Sequence, residues 1–167
     1  MSPSDFDPAP ILAILEQHDV EYVVVGGLAG LAHGSLYPTH DTDIAYERSA
    51  ANLERLATAL AELGATLRGA PPDVPFLLDA RTLAAGSNFT FSTRLGPLDI
   101  LGDPAGAPAF EQLVASADEA VLFGISVRVA GIDHLIAMKE AAGRPKDLLM
   151  ASEYRVISDE LRRRDQP

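Results

Sequence analysis

The chain has 167 residues, of which 47% are hydrophobic and 22% are charged, and its formal net charge is −11. This size and composition fit one globular domain with a core, while the negative charge argues against a protein that binds a long nucleic acid through many phosphate contacts. The sequence contains no cysteine, which excludes disulfides and thiolate metal sites.

The N-terminal segment predicts a loose start followed by a helix and a strand. Residues 1–8 are polar and contain two prolines, so we expect them to be flexible, and we expect residues 9–164 to form a single domain. Residues 9–18 carry apolar side chains at helical spacing, which predicts a helix that covers a sheet. The β-branched run Tyr22–Val25 predicts a buried strand.

Two glycines end that strand and form the first candidate binding element. Gly26 and Gly27 predict a tight turn, and residues 28–33 predict a short helix that follows it. Glycines allow a close approach of the backbone, and the unpaired N–H groups at the start of a helix attract anions. The turn is therefore a candidate phosphate site.

Asp41 and Asp43 form the second candidate element. They are two residues apart, so on a strand that continues through Ile44 both project from the same face. Two adjacent carboxylates repel each other, and a divalent cation removes that repulsion. Mg²⁺ (or Mn²⁺) is the expected cation, because Mg²⁺ favours oxygen ligands and leaves positions for water and substrate phosphates.

The middle of the chain alternates helix, loop and strand. Ser49 is a candidate N-cap for a helix that ends at Gly64, and the prolines within residues 71–75 predict a loop. Two strands joined as a hairpin are predicted at residues 89–92 and 98–101.

Asp99 is the third candidate acid. It stands alone in an apolar strand-like run, where an ionised carboxylate is costly unless it is paired or bound to a metal. If its strand lies beside that of Asp43, the two carboxylates meet, because neighbouring strands are about 4.8 Å apart. Asp99 would then complete a two-metal site or act as a base for the incoming nucleophile.

The C-terminal third is predicted to be mainly helical, and the cations of the chain gather there. Helices are expected at residues 109–117, 132–142 and 147–163, with a short strand at 126–129. The late cations are Lys139, Arg144, Lys146, Arg155 and Arg162–Arg164. If the protein binds RNA, the contact should be short and should use this surface. The alternation of elements along the chain predicts a mixed α/β sheet with flanking helices.

These segments together resemble the nucleotidyltransferase superfamily with a DNA polymerase β-like core. The signature of that superfamily is a glycine pair after a strand, an Asp-x-Asp or Asp-x-Glu on the next strand, and a third Asp later. More closely, the sequence is similar to the small bacterial branch related to AbiEii-type nucleotidyltransferase toxins and stand-alone nucleotidyltransferase-like proteins. The matching segments are residues 26–29, 33–35, 39–44, 98–101, 132–139 and 142–148.

The resemblance implies the minimal polymerase-β-like fold and an enzyme that moves a nucleoside monophosphate from an NTP to an acceptor hydroxyl on an RNA end, a protein or a small molecule. It implies that Asp41, Asp43 and Asp99 are catalytic and bind magnesium. The residues that it implies for nucleotide binding are Gly26, Gly27, Lys139, Arg144 and Lys146.

Departures from the family pattern keep a second function open. Tyr37 stands where the family usually has a basic residue, and Leu149 and Met150 stand where an acid often follows. A non-catalytic nucleotide-binding module, or one half of a toxin–antitoxin or defence pair with an antitoxin-like protein partner, is the alternative. A dinucleotide-binding fold is a weaker one, suggested by Glu47 twenty residues after Gly27.

The sequence predicts no association with a membrane. No apolar run approaches the roughly 20 residues that cross a bilayer, and the N-terminus has no basic region followed by an apolar stretch. We therefore expect a cytoplasmic protein.

Overall fold

The computed structural model describes residues 6–167, so residues 1–5 of the segment expected to be flexible lie outside it. In chain order its elements are α1 (Ala9–Gln17), β1 (Tyr22–Val25), α2 (Gly26–Ala32), β2 (Thr42–Tyr46), α3 (Ala50–Glu62), β3 (Thr66–Leu67), α4 (Ala80–Ala85), β4 (Asn88–Thr93), β5 (Gly96–Leu101), α5 (Phe110–Ala115), β6 (Asp118–Leu122), β7 (Ile125–Val129), α6 (Ile132–Ala142) and α7 (Pro145–Arg164).

The strands form one mixed sheet in the order β3-β4-β5-β2-β1-β7-β6. β1 runs antiparallel to β2, β2 runs parallel to β5, and β5 runs antiparallel to β4. The predicted mixed α/β sheet with flanking helices is therefore confirmed. The antiparallel pairing of β1 with β2 excludes the dinucleotide-binding alternative, which needs parallel strands on either side of its glycine turn.

The central strands are buried because their sequences are apolar on both faces. All four residues of β1 are buried, and Ile44 and Ile100 on β2 and β5 are fully enclosed. The apolar side of α3 contributes Leu56 and Leu60 to the same core. Burial of apolar surface stabilises the folded state by roughly 25 cal/mol for each Å² removed from water. This burial holds in place the strands that carry the candidate acids.

A buried amide joins α3 to the strand pair β1–β2. Asn52 is fully buried, and its Nδ2 donates to the carbonyl oxygens of Glu21 at 3.0 Å and Glu47 at 2.7 Å. Its Oδ1 accepts from the Glu21 backbone N–H at 2.7 Å. Glu21 precedes β1 and Glu47 follows β2, so one side chain binds both strands at the end away from the glycine turn.

Three elements were absent from the sequence prediction, and several boundaries differ from it. β3, α4 and β6 are short, and β3 and β6 are the two edges of the sheet, where alternation of apolar and polar residues is weak. α2 begins at Gly26 rather than at residue 28, and α7 begins at Pro145 rather than at residue 147. Proline suits the first position of a helix because the N–H that it lacks is unpaired there in any case. Among residues 6–167 no helix is both long and apolar enough to span a bilayer.

Candidate active site

The glycine turn lies directly against one of the candidate acids. Gly26 has a φ of +67°, and a β carbon built there would lie 2.8 Å from Cγ of Asp43 and overlap its carboxylate. A β carbon at Gly27 would lie 2.9 Å from Cβ and Oγ1 of Thr39. Both glycines are therefore needed for close packing, whether or not the turn binds a phosphate.

Asp43 and Asp99 are brought side by side by the sheet. The parallel register of β2 and β5 places Asp43 opposite Asp99, and Asp41 lies one residue before β2 begins. Burial raises the pKa of Asp43 to about 7, with further contributions from the charges of Asp99 and Asp41, and the nearby Lys139 opposes them. Two neighbouring carboxylates that are partly buried do not readily ionise at the same time, because burial and the like charge both disfavour the second ionisation.

Asp99 is also paired with an arginine that the sequence analysis missed. Arg68, the residue after β3, places Nη2 at 2.7 Å from Oδ1 of Asp99. The same Nη2 donates to the carbonyl oxygen of Phe91 at 2.7 Å. No local pattern marks Arg68, because its position depends on the pairing of β3, β4 and β5 rather than on its own sequence neighbours.

The donor chemistry of this site fits a hard divalent cation such as Mg²⁺ (or Mn²⁺), although the three acids do not form a finished cage. No group of three or more His, Cys, Asp or Glu side chains within residues 6–167 has the arrangement of a metal site. Mg²⁺ commonly uses only one or two protein carboxylates and completes its shell with water and substrate phosphates. A cation would also relieve the repulsion from Asp99 and Asp41, which adds to the effect of burial on the pKa of Asp43.

A cavity of about 210 Å³ opens beside Gly26 and Asp43. Its walls are mainly apolar, and many of the lining residues come from the loop of residues 102–108 and from α6. The lining residues are Val25, Gly26, Asp43, Asn88, Leu101, Pro104, Ala105, Leu135, Met138, Lys139, Ala142, Arg144 and Asp147. An apolar hollow with a few convergent polar groups is typical of a small-molecule site.

Two of the predicted cations meet at a buried carboxylate on the wall of this cavity. Asp147 has a side chain only 2% exposed, and it accepts from Nε of Arg144 at 2.6 Å and from Nζ of Lys139 at 3.4 Å. The hydrogen bond from Arg144 holds the pKa of Asp147 below its ordinary value. Lys146 is exposed and is not among the residues that line the cavity.

Comparison with known proteins gives matches in structure only. No family model matches the sequence, and no curated protein matches it. The lincosamide antibiotic adenylyltransferase LnuA, solved with lincomycin bound, aligns with a TM-score of 0.59 at 16% identity, covering 89% of this chain and 94% of its own. ANT(2″)-Ia, in complex with adenylyl-2″-tobramycin, aligns with a TM-score of 0.54 at 19% identity, covering 93% of this chain and 95% of its own.

The Thermotoga maritima protein TM1012, provisionally assigned as a nucleotidyltransferase, aligns with a TM-score of 0.56 at 14% identity, covering 87% of this chain and 88% of its own. At identities this low the similarity establishes architecture. This chain has the fold of the nucleotidyltransferases.

Proposed function

We propose that residues 9–164 form one nucleotidyltransferase domain, which moves a nucleoside monophosphate from an NTP to an acceptor hydroxyl. The observation that carries the proposal is the register of Asp43 with Asp99 beside the Gly26 turn. An adjacent cavity of suitable character and a fold shared with nucleotidyltransferases support it.

In the proposed reaction the acceptor oxygen attacks the α-phosphorus, the bond from that phosphorus to its leaving oxygen breaks, and pyrophosphate departs. Asp99 takes the proton of the acceptor hydroxyl, and Asp41 and Asp43 with Asp99 would hold Mg²⁺ (or Mn²⁺). When bound, the metal would offset the negative charge of the phosphates. The groups proposed to bind the nucleotide are the backbone at Gly26 and Gly27 and the side chains of Lys139, Arg144 and Lys146.

The cavity beside Asp43 suits the nucleoside part of the NTP. Met138 and Leu135 on α6 and Pro104 on the facing loop offer apolar surfaces to a base. Lys139 and Arg144 stand on the same wall, where they offset phosphate charge even while they share Asp147. Positioning and electrostatics of this kind supply most of the catalysis in phosphoryl-type transfer.

A small molecule is the acceptor that we favour over RNA. The net charge is −11, and the C-terminal arginines that could have formed a basic surface pair with acids, as Arg162 does with Asp133 at 3.2 Å and Arg155 does with Glu140. Both LnuA and ANT(2″)-Ia were solved with small antibiotic compounds, which makes such compounds the first acceptors to try.

The test is transfer of label from α-labelled NTPs, with Mg²⁺ or Mn²⁺, to aminoglycosides, lincosamides, RNA and protein. Wild type should label at least one acceptor class, Asp43→Asn and Asp99→Asn should not, and the exposed-loop variant Asp73→Asn should behave as wild type. Absence of transfer to every acceptor by folded wild-type protein would remove the proposal.

A nucleotide-binding module without catalysis is the second candidate. The observation that favours it is that Asp147 engages both Lys139 and Arg144, while Arg68 engages Asp99, so fewer charges are free for a substrate. Calorimetry would then show metal-dependent NTP binding with no turnover. A protein partner of the antitoxin kind belongs with this candidate, and co-purification with the product of an adjacent reading frame would test it.

A further inference from the structure

Arg68 reaches the acid site from the edge of the sheet. Its backbone N–H donates to the carbonyl oxygen of Thr90 at 2.9 Å, and Thr90 pairs with Asp99 in the next strand. The Arg68 side chain therefore crosses the whole width of β4 to place Nη2 at 2.7 Å from Oδ1 of Asp99.

The ion pair between Arg68 and Asp99 is held more firmly than an ion pair between exposed side chains. Nη2 of Arg68 is held by two acceptors, the Phe91 carbonyl and the Asp99 carboxylate, and the two charged side chains are only 35% and 20% exposed. By contrast, Arg163 and Glu160 on α7 are 73% and 52% exposed. A guanidinium stays charged at every accessible pH. Because the Phe91 carbonyl already holds the Arg68 guanidinium, less conformational entropy is lost when the guanidinium pairs with Asp99.

Resting on the proposed function, we propose that Arg68 is a positioning residue of this site, a fixed cation that holds Asp99 by one oxygen and lowers the affinity of the acids for a divalent metal. Asp41, Asp43 and Asp99 carry the negative charge of the site, and Arg68 offsets part of it. One oxygen of Asp99 stays engaged with Arg68, which limits rotation of the carboxylate.

This arrangement makes metal binding depend on the nucleotide. With Arg68 present, the acids alone attract a divalent cation weakly, because the guanidinium repels a second positive charge close by. The phosphates of an NTP add the missing negative charge, so metal and nucleotide bind together. Loss of the Arg68 charge removes this dependence and also lets Asp99 rotate.

Three variants separate charge from structure. Arg68→Gln removes the charge and keeps a group able to donate to the Phe91 carbonyl, Arg68→Lys keeps the charge, and Arg81→Gln changes an exposed arginine on α4 as a control. Mn²⁺ binding is measured by calorimetry on the full chain without nucleotide, and the rise in melting temperature on adding Mn²⁺ is measured in parallel.

Arg68→Gln should bind Mn²⁺ about tenfold more tightly than wild type and gain more in melting temperature, while Arg68→Lys and Arg81→Gln stay near wild type. Transfer by Arg68→Gln at saturating Mn²⁺ should fall through kcat, with partial rescue by Arg68→Lys. Generic damage to the fold would weaken metal binding instead. Folded Arg68→Gln that binds Mn²⁺ no more tightly than wild type overturns the proposal.

The same measurements keep the two proposals apart. If wild type shows no transfer with any acceptor, the nucleotidyltransferase proposal fails, yet the Mn²⁺ affinities still decide whether Arg68 limits metal binding. If transfer is found and the affinities of wild type and Arg68→Gln are equal, the assignment of Arg68 fails alone.

Discussion

Gly26 lies so close to Asp43 that a β carbon at position 26 would overlap the carboxylate. Glycine at position 26 satisfies two separate requirements. It allows the positive φ at the end of β1, and it leaves space for the Asp43 carboxylate on β2. The turn and the acid thus pack directly against each other, so a substitution at Gly26 displaces the Asp43 carboxylate.

Gly26→Ala should destabilise the protein and abolish nucleotide transfer. The new β carbon meets Asp43, and φ at position 26 is +67°, so we expect a loss of about 2–4 kcal/mol in the free energy of unfolding. Gly64→Ala is the matched control, because Gly64 has a φ of +64° and open space around it. It should cost only about 1 kcal/mol and leave transfer intact. Urea titrations and transfer assays of both variants measure this, and equal losses in the two would contradict the role of the contact.

Asp43 should make metal-free protein less stable as the pH rises. The pKa of Asp43 is raised from 3.8 to about 7, so the folded state holds this proton where the unfolded chain has released it. The resulting stabilisation is complete below pH 4 and is lost as the pH rises through 7, with a total on the order of a few kcal/mol. Urea midpoints of wild type and Asp43→Asn from pH 4 to 8, in chelator, measure the difference.

The variant should lack this slope and should exceed wild type in stability at pH 8. Added Mg²⁺ should narrow the gap at pH 8 if the cation offsets the charge of Asp43. Parallel pH dependence in the two proteins would show that another group is responsible.

Asp147→Asn should lose stability at neutral pH, because Lys139 and Arg144 lose the carboxylate that they share. Arg144 is largely exposed, which limits the expected loss to about 1–3 kcal/mol. The pKa of Asp147 is lowered, so its contribution is present above the unfolded pKa and disappears as the pH falls through the folded one. The difference in thermal stability between wild type and variant should therefore close in acid.

The control for this experiment is Asp159→Asn on the same helix. Asp159 pairs with Arg162 while both side chains are 64% exposed, so its replacement should change stability by less than about 0.5 kcal/mol. A loss in Asp147→Asn no greater than that of the control would mean that the buried carboxylate contributes nothing.

Asn88→Ala should weaken NTP binding with little effect on kcat. Asn88 lines the cavity and fixes the loop of residues 102–108 through two bonds to the backbone of Asp103, at 3.3 and 3.2 Å. Release of that loop loosens one wall, and we expect KM for NTP to rise about threefold to tenfold. Ser92→Ala, on the same strand and also exposed, is the control. Equal KM values in the two variants would argue against a nucleotide in this cavity.

The parts of the fold and site that were accessible from sequence are those with a local signal. The run Tyr22–Val25 predicted a strand, and Gly26 predicted a turn. Asp99, alone in an apolar run, predicted a carboxylate that needs an ion-pair partner or a metal. That Asp43 and Asp99 are neighbours was conditional on the pairing of β2 with β5, which the sequence alone could not supply. The structure meets that condition.

The remainder depends on contacts between distant segments. Arg68 is an ordinary exposed arginine until β3 is paired with β4, and Asp147 reads as part of a helix start until α6 brings Lys139 to it. β6, with the sequence Asp-Glu-Ala-Val-Leu, lacks strand alternation because only Leu122 of this edge strand is buried, so neither face needs a regular apolar pattern.

Asn52 gives the strand pair β1–β2 a fixed alignment far from the chemistry. Slippage of β2 by a single residue would turn Asp43 towards the opposite face of the sheet and carry Ile44 out of the core. The amide of Asn52 prevents this, since both carbonyls that it binds move apart when either strand slides. The alignment of Asp43 with the Gly26 turn is thus maintained by a neutral side chain at the far end of the strand pair β1–β2.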